Sequence, residues 1–194
     1  MKMNHNLNIT FGATLVSNVN IKKLDKENSR YINKNASVVE LDEFNENDIT
    51  AVSDTAYYWL YDLYGSNIAY NLKSKAKYPD LYENDKFFAL TTQTSSFDKL
   101  NDKKIQGLVE LQERDNNIIY IDFLQVNPDL IYVTEPPKYN HVGQSIIKAL
   151  QDKYNDKTII LNSTKTALPF YQKLGFKKLS TDKKNNQYYW NKTQ

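Results

Sequence analysis

Residues 118–161 constrain the fold more than any other stretch. Ile118 to Val126 is a strongly apolar, β-branched run that stops at Asn127-Pro128. Gly143 to Tyr154 then carries Ile146, Ile147, Leu150 and Tyr154 at helical spacing, and Thr158 to Leu161 is a short apolar strand. A strand, a helix and a strand in that order predict one parallel crossover. Upstream, Lys86–Gln93, Ile105–Gln112 and Ile118–Val126 read as three consecutive strands, separated by a turn over Thr94–Lys103 and by Asn116-Asn117. Consecutive strands with short turns pair antiparallel. The expectation is a mixed α/β (α+β mixed) fold with a mostly antiparallel sheet.

The other elements follow from the same reasoning. Leu7, Ile9 and Phe11 alternate, and Leu15, Val19, Ile21 and Leu24 continue in a strand-like manner, so residues 1–36 are expected to form a strand-like arm. Lys26 to Asn35 is polar and reads as a loop. Val38, Val39 and Leu41 mark a short strand. Asn47 or Asp48 is placed to cap a helix bearing Ile49, Val52, Ala56, Trp59, Leu60 and Leu63, which should end near Gly65. A second helix is expected over Ile68–Lys77, closed by Pro79. Thr166 can cap a last helix, Ala167–Leu174, with Gly175 ending it in a left-handed conformation. Lys177–Ser180 and Gln187–Trp190 read as a hairpin. No composition break divides residues 37–194, which are expected to form one domain.

Composition removes several chemistries. There is no cysteine, which excludes disulfides, thiolate nucleophiles and Cys-ligated metals. With His5 and His141 as the two histidines, a multi-histidine metal site is impossible. The formal net charge is +2 at pH 7, too balanced for a dedicated nucleic-acid binder. No run approaches the ~18 apolar residues of a membrane helix. The first residues lack the apolar core of a signal peptide, so a cytoplasmic protein without membrane attachment is expected.

Two segments carry chemistry. Asn140-His141-Val142-Gly143-Gln144-Ser145 places a glycine and a small residue at a helix start, where unpaired N–H groups favour anions. Ala167-Leu168-Pro169-Phe170-Tyr171-Gln172-Lys173-Leu174-Gly175-Phe176 resembles the closing motif of the GNAT superfamily of acyl-CoA-dependent N-acetyltransferases. That motif has the form Phe/Leu-Tyr-x-Lys-x-Gly-Phe after an alanine; Tyr171, Lys173, Gly175 and Phe176 are all in place. Upstream the family carries Arg/Gln-x-x-Gly-x-Gly/Ala. Here Lys138 stands for Arg/Gln, His141 for the first glycine, and Gly143 is kept. Thr164 stands three residues before Ala167, where the family often has Asn.

The resemblance covers about residues 37–192. It implies a GNAT-like fold: a central mixed, mostly antiparallel twisted sheet, helices on both faces, and a parallel strand pair that splays near Val126. It implies acetyl-CoA as cosubstrate, with the backbone of Leu124, Gln125 and Val126 along the pantetheine arm. Lys138, Asn140, His141, Val142, Gly143, Gln144 and Ser145 would lie at the pyrophosphate, with Thr164 and Phe170 nearby. Tyr171 would donate a proton to the departing CoA thiolate. The acceptor would be a primary amine of a small molecule or protein, acetylated directly because no cysteine is present to form an acyl-enzyme.

For the base, three candidates stand open. Tyr120 occupies about the place where some members carry a glutamate. Asp122 is the nearest carboxylate, expected with Tyr120, Leu124 and Val126 on one face of the strand. Glu110 lies on the neighbouring strand. Proximity and water alone can also suffice. Blander roles remain for each: Tyr171 as a core aromatic, Asp122 as a salt-bridged strand carboxylate, His141 as a loop residue. Tyr57, Tyr58, Tyr61 and Tyr64 are too many aromatics for one buried face, which points to an acceptor pocket. Lys73, Lys75 and Lys77 read as solvated surface. A non-catalytic CoA-binding or interaction module, and a homodimer pairing through the arm or the last hairpin, are the alternatives.

Overall fold

The computed structural model describes residues 12–59, 63–115, 117–131, 134–180 and 186–192. Leu7, Ile9, Phe11, Leu60, Tyr61, Asn116 and most of the turn at 182–186 lie outside the described residues, as does the side chain of Leu63. The elements run β1 (Thr14–Asp25), β2 (Arg30–Glu40), α1 (Glu46–Tyr58), α2 (Leu63–Lys77), β3 (Asp85–Thr91), β4 (Ile105–Arg114) and β5 (Ile118–Val126). They continue with β6 (Tyr139–Asn140), α3 (Val142–Lys153), β7 (Thr158–Asn162), α4 (Leu168–Lys173), β8 (Lys177–Lys178) and β9 (Gln187–Trp190). One sheet has the order β6-β1-β2-β3-β4-β5-β7-β9-β8. Only the β5–β7 pair is parallel among these neighbours, as the crossover requires.

Strand alternation builds two cores. On one face Val38, Phe88, Leu90, Val109, Leu111, Ile119 and Ile121 meet Ile146, Ile147 and Leu150 of α3. On the other, Val39, Phe87, Ala89 and Leu108 meet Ala51 and Val52 of α1 and Ile68 and Leu72 of α2. Adjacent residues such as Phe87 and Phe88 thus serve opposite faces. No helix among the described residues is long and apolar enough to cross a membrane.

Four expectations need correction. The polar segment Lys26–Asn35, expected as a loop, is the turn and the first six residues of β2, with Asp25 paired to Arg30. Its outer half is largely exposed, so no apolar alternation marks it. The α1 cap is Asn45, whose side chain accepts from the N–H groups of Asn47 and Asp48; Asp48 instead is buried and accepts from the Asp42 N–H at 2.9 Å. Gly65 does not end α1 but lies inside α2, where an added Cβ would sit 3.4 Å from the Trp59 ring. Lys75 is 4% exposed, paired with Glu43 at 3.0 Å and donating to the Asp85 carbonyl at 2.5 Å. At the far end, Gly175 is left-handed (φ +87°), as expected.

Candidate active site

The site begins where a parallel pair comes apart. β5 and β7 are in register from Ile118↔Thr158 to Ile121↔Leu161 and no further. Beyond Ile121 no described strand covers that edge of β5, and β7 turns away so that the Ser163 N–H donates to the Asn186 carbonyl at 3.1 Å. The wedge between them opens into two adjoining hollows of about 780 and 560 Å3 that share Tyr64, Leu124, Ala167 and Tyr171. Asp122, Phe123, Ser163 and Thr164 line the first. Gln125, Val126, His141, Gly143 and Phe170 line the second. Their sizes fall in the range of small-molecule sites.

A β-bulge sets which residues face which way. In the β4–β5 pair Glu110 faces Phe123 and Leu111 faces Ile121, so Asp122 is the extra residue. The bulge shifts the alternation by one. Ile119 and Ile121 belong to the α3-side core and Leu124 and Val126 pack against that same core, while Phe123 packs on the α2 side. Tyr120 and Asp122 therefore do not share a face with Leu124 and Val126, contrary to the expectation from strict alternation. Both turn toward Arg114, whose guanidinium carbon is 3.9 Å from the Tyr120 ring centre and whose Nη2 is 4.0 Å from the Asp122 carboxylate.

The helix start in the second hollow fits an anionic ligand. The first intrahelical bond of α3 runs from the Ser145 N–H to the His141 carbonyl at 2.9 Å. The N–H groups of Val142, Gly143 and Gln144 precede it, and all three residues line the hollow. His141 caps the helix in a left-handed conformation (φ +66°), so its side chain does not prevent the turn that a glycine would make. Its N–H donates to the Asn140 side chain at 2.8 Å. At Gly143 a Cβ would lie 3.3 Å from the Phe170 ring and 3.6 Å from Val126 Cγ1. Absence of that carbon keeps the α3 backbone close to both β5 and α4. A phosphate-bearing thioester with a long arm suits these residues: the helix start for the phosphates, the bare edge of β5 for the arm.

Electrostatics distinguish the candidate proton carriers. Tyr171 is 8% exposed, edge-on to Phe170 and Phe176, and lines both hollows. Desolvation, with a smaller contribution from Tyr64, pushes its hydroxyl up to about 12, so it stays protonated and can donate. It is at once a core aromatic and a wall of the cleft. The Asp122 carboxyl is held above its ordinary value by desolvation, against the opposing pull of Arg114. Glu110, 4% exposed, is pushed up to about 7 by desolvation. The Asn71 amide opposes this by donating to both its oxygens at 2.9 and 3.0 Å.

The structure brings most of the expected residues together, but not all. Leu124, Gln125, Val126, Asn140, His141, Val142, Gly143, Gln144, Phe170 and Tyr171 surround the second hollow, and Asp122 and Thr164 join the first. Lys138 lies instead along the β1–β2 hairpin. The Ser145 hydroxyl donates to the Asn20 carbonyl at 3.0 Å. Of the tyrosines, Tyr64 lines both hollows and stacks 5.6 Å from Phe123, whereas Tyr57 and Tyr58 are 68% and 64% exposed. Sequence reading missed Asn71 and Arg114. Asn71 lies seven residues after Tyr64, two helical turns along the same face, and that spacing was the available signal.

The profile of the acetyltransferase (GNAT) domain family matches residues 90–190. None of the curated proteins matches the sequence. Among solved structures, an acetyltransferase of the GNAT family from Staphylococcus aureus Mu50 is 15% identical with a TM-score of 0.50, covering 81% of this chain and 99% of its own. A chain from Desulfovibrio desulfuricans assigned to the same family is 9% identical with a TM-score of 0.54, covering 81% and 99%. At such identities the likeness speaks for the fold, and the family match speaks for the activity. The chain belongs to the GNAT acetyltransferase family and is an acyltransferase that uses acetyl-CoA as cosubstrate.

Proposed function

We propose that the acetyl group passes directly to a primary amine of a small molecule or protein, with Tyr171 as acid and Asp122 as base. The carrying observation is that the Tyr171 hydroxyl, kept protonated by burial, and the carboxyl of Asp122, raised above its ordinary value, line one hollow at the mouth of the β5–β7 wedge. Acetyl-CoA supplies an activated thioester acyl group when bound there. The backbone of Leu124, Gln125 and Val126 orients the arm, and the start of α3 holds the phosphates. Asp122 takes the proton of the incoming ammonium, directly or through one water, because only the neutral amine attacks. Tyr171 gives its proton to the sulfur as the carbon–sulfur bond breaks. Glu110, raised mainly by desolvation, lines neither hollow, and both its oxygens accept from the Asn71 amide.

Thiol release from acetyl-CoA across a panel of primary amines tests the reading. Tyr171→Phe should lower turnover at least tenfold with an unchanged acetyl-CoA dissociation constant, and Asp122→Asn should remove the acid limb of the pH–rate profile. Full turnover by Tyr171→Phe would remove Tyr171 from the chemistry. A homodimer through the outer edge of β1, from Thr14 to Val19, is the assembly this sheet would support. A monomeric mass at micromolar protein would dismiss it.

A further inference from the structure

Three hydrogen bonds and a two-pair ladder tie the first hairpin to the segment that leads into α3. The Tyr31 hydroxyl donates to the Pro137 carbonyl at 2.8 Å. The Leu24 N–H donates to the Lys138 carbonyl at 2.9 Å. Lys22 and Lys23 pair with Asn140 and Tyr139 as a short antiparallel ladder. The Asn20 carbonyl receives the Ser145 hydroxyl at 3.0 Å. Buried Ile21 and Tyr139 join one core behind these bonds. Residues 137–145 are thus fastened at successive steps to β1 and β2, which lie outside the residues matched by the family profile.

We infer that the β1–β2 hairpin is a positioning element of the acetyl-CoA site, acting through the backbone of residues 137–141. This role rests on the cosubstrate reading above. The connection from β5 to α3 spans residues 127–141, and a chain of that length fixed only at its ends samples many conformations. His141 must hold a left-handed turn for the N–H groups of Val142, Gly143 and Gln144 to face the hollow. A left-handed histidine is disfavoured locally and persists when its surroundings over-determine it. The hairpin supplies that constraint on the N-terminal side. Tyr31 is a positioning residue: it lines neither hollow and acts only by holding Pro137.

The test uses Tyr31→Phe, which removes one hydroxyl and leaves the ring. Acetyl-CoA affinity is measured by calorimetry at a temperature where both proteins are fully folded, and amide exchange over 137–145 is measured without ligand. The expected result is about a fivefold weaker dissociation constant, the worth of one net hydrogen bond, with faster exchange over 137–145 and unchanged kcat at saturating acetyl-CoA. Wild-type affinity in Tyr31→Phe would overturn the inference, whether or not exchange quickens. A lower kcat with unchanged affinity would overturn it too. Failure of the wild-type protein to bind acetyl-CoA would instead defeat the cosubstrate reading and the inference with it.

Discussion

Raising the pH from 5 to 8 should destabilise this fold, and Glu110→Gln should remove a large share of that loss. Glu110 is 4% exposed. Desolvation lifts its pKa from 4.5 to about 7, with Asn71 pulling the other way. The unfolded chain loses this proton near 4.5, whereas the folded chain keeps it until near 7. Between those values the folded state binds more protons, so its stability is fullest at low pH and falls as pH rises through the window. One pH unit is worth 1.36 kcal/mol, so ionising Glu110 in the fold costs about 3 kcal/mol. Asp48, raised to about 6 by desolvation, and the raised Asp85 and Asp122 add losses of the same sign. The difference between wild type and Glu110→Gln isolates one group. Glutamine keeps the shape, and the Asn71 amide can turn to present its oxygen. Urea unfolding at pH 5, 6, 7 and 8 gives the stabilities. The gap between the two proteins should move by about 3 kcal/mol in favour of the variant across that series. Parallel pH profiles would refute the burial argument.

Other substitutions probe other links. His141→Gly should relieve a left-handed residue at a cost in unfolded-chain entropy, a net gain of about 0.5 kcal/mol by thermal unfolding, and the proposed backbone grip on acetyl-CoA predicts retained affinity. A tenfold loss of affinity would assign the imidazole a role of its own. Gly107→Ala should destabilise by about 1–2 kcal/mol, because the new Cβ meets Ile146 Cδ1 and lies 3.3 Å from Val142 Cγ1 under α3. Lys75→Ala should cost about 2–3 kcal/mol in urea by stranding Glu43 and the Asp85 carbonyl. A neutral effect would mean that water replaces the ammonium there.

Much of this architecture is legible in the chain itself. β5 occupies Ile118–Val126 as read, because nine apolar-rich residues end at Asn127-Pro128. The parallel crossover and the left-handed Gly175 follow from equally local rules. Longer-range packing hid the rest. The bulge at Asp122 is a property of two strands together, and no pattern within β5 announces it. The α1–α2 break carries no proline, and its helical periodicity runs on past Trp59, so the first helix reads as reaching Gly65 although α1 ends at Tyr58 and Gly65 belongs to α2. Asn47 or Asp48 reads as the cap, yet the Asn45 side chain accepts from the N–H groups of both, and Asp48 is buried and accepts from the Asp42 N–H. Lys75 reads as solvent-facing by composition, yet Glu43 and the Asp85 carbonyl draw it inward. The site residues were read from the helix-start and closing motifs, and Tyr64 from the cluster of tyrosines, while Asn71 and Arg114 entered through tertiary contact.

The ladder between β1 and β6 joins segments far apart in the chain. Lys23 meets Tyr139, and Asn20 meets Ser145, across more than a hundred intervening residues. The β1–β2 hairpin closes locally and leaves the ribosome early, with its outer strand uncovered. Its partner is not yet synthesised, and exposed edges of this kind recruit foreign strands. The lysines and asparagines scattered along β1 make that waiting edge poorly adhesive. Contacts between segments so far apart in the chain are slow to form, and the left-handed turn at His141 lies among them. A chain stalled before Tyr139 lacks both the β6 partner of β1 and the start of α3.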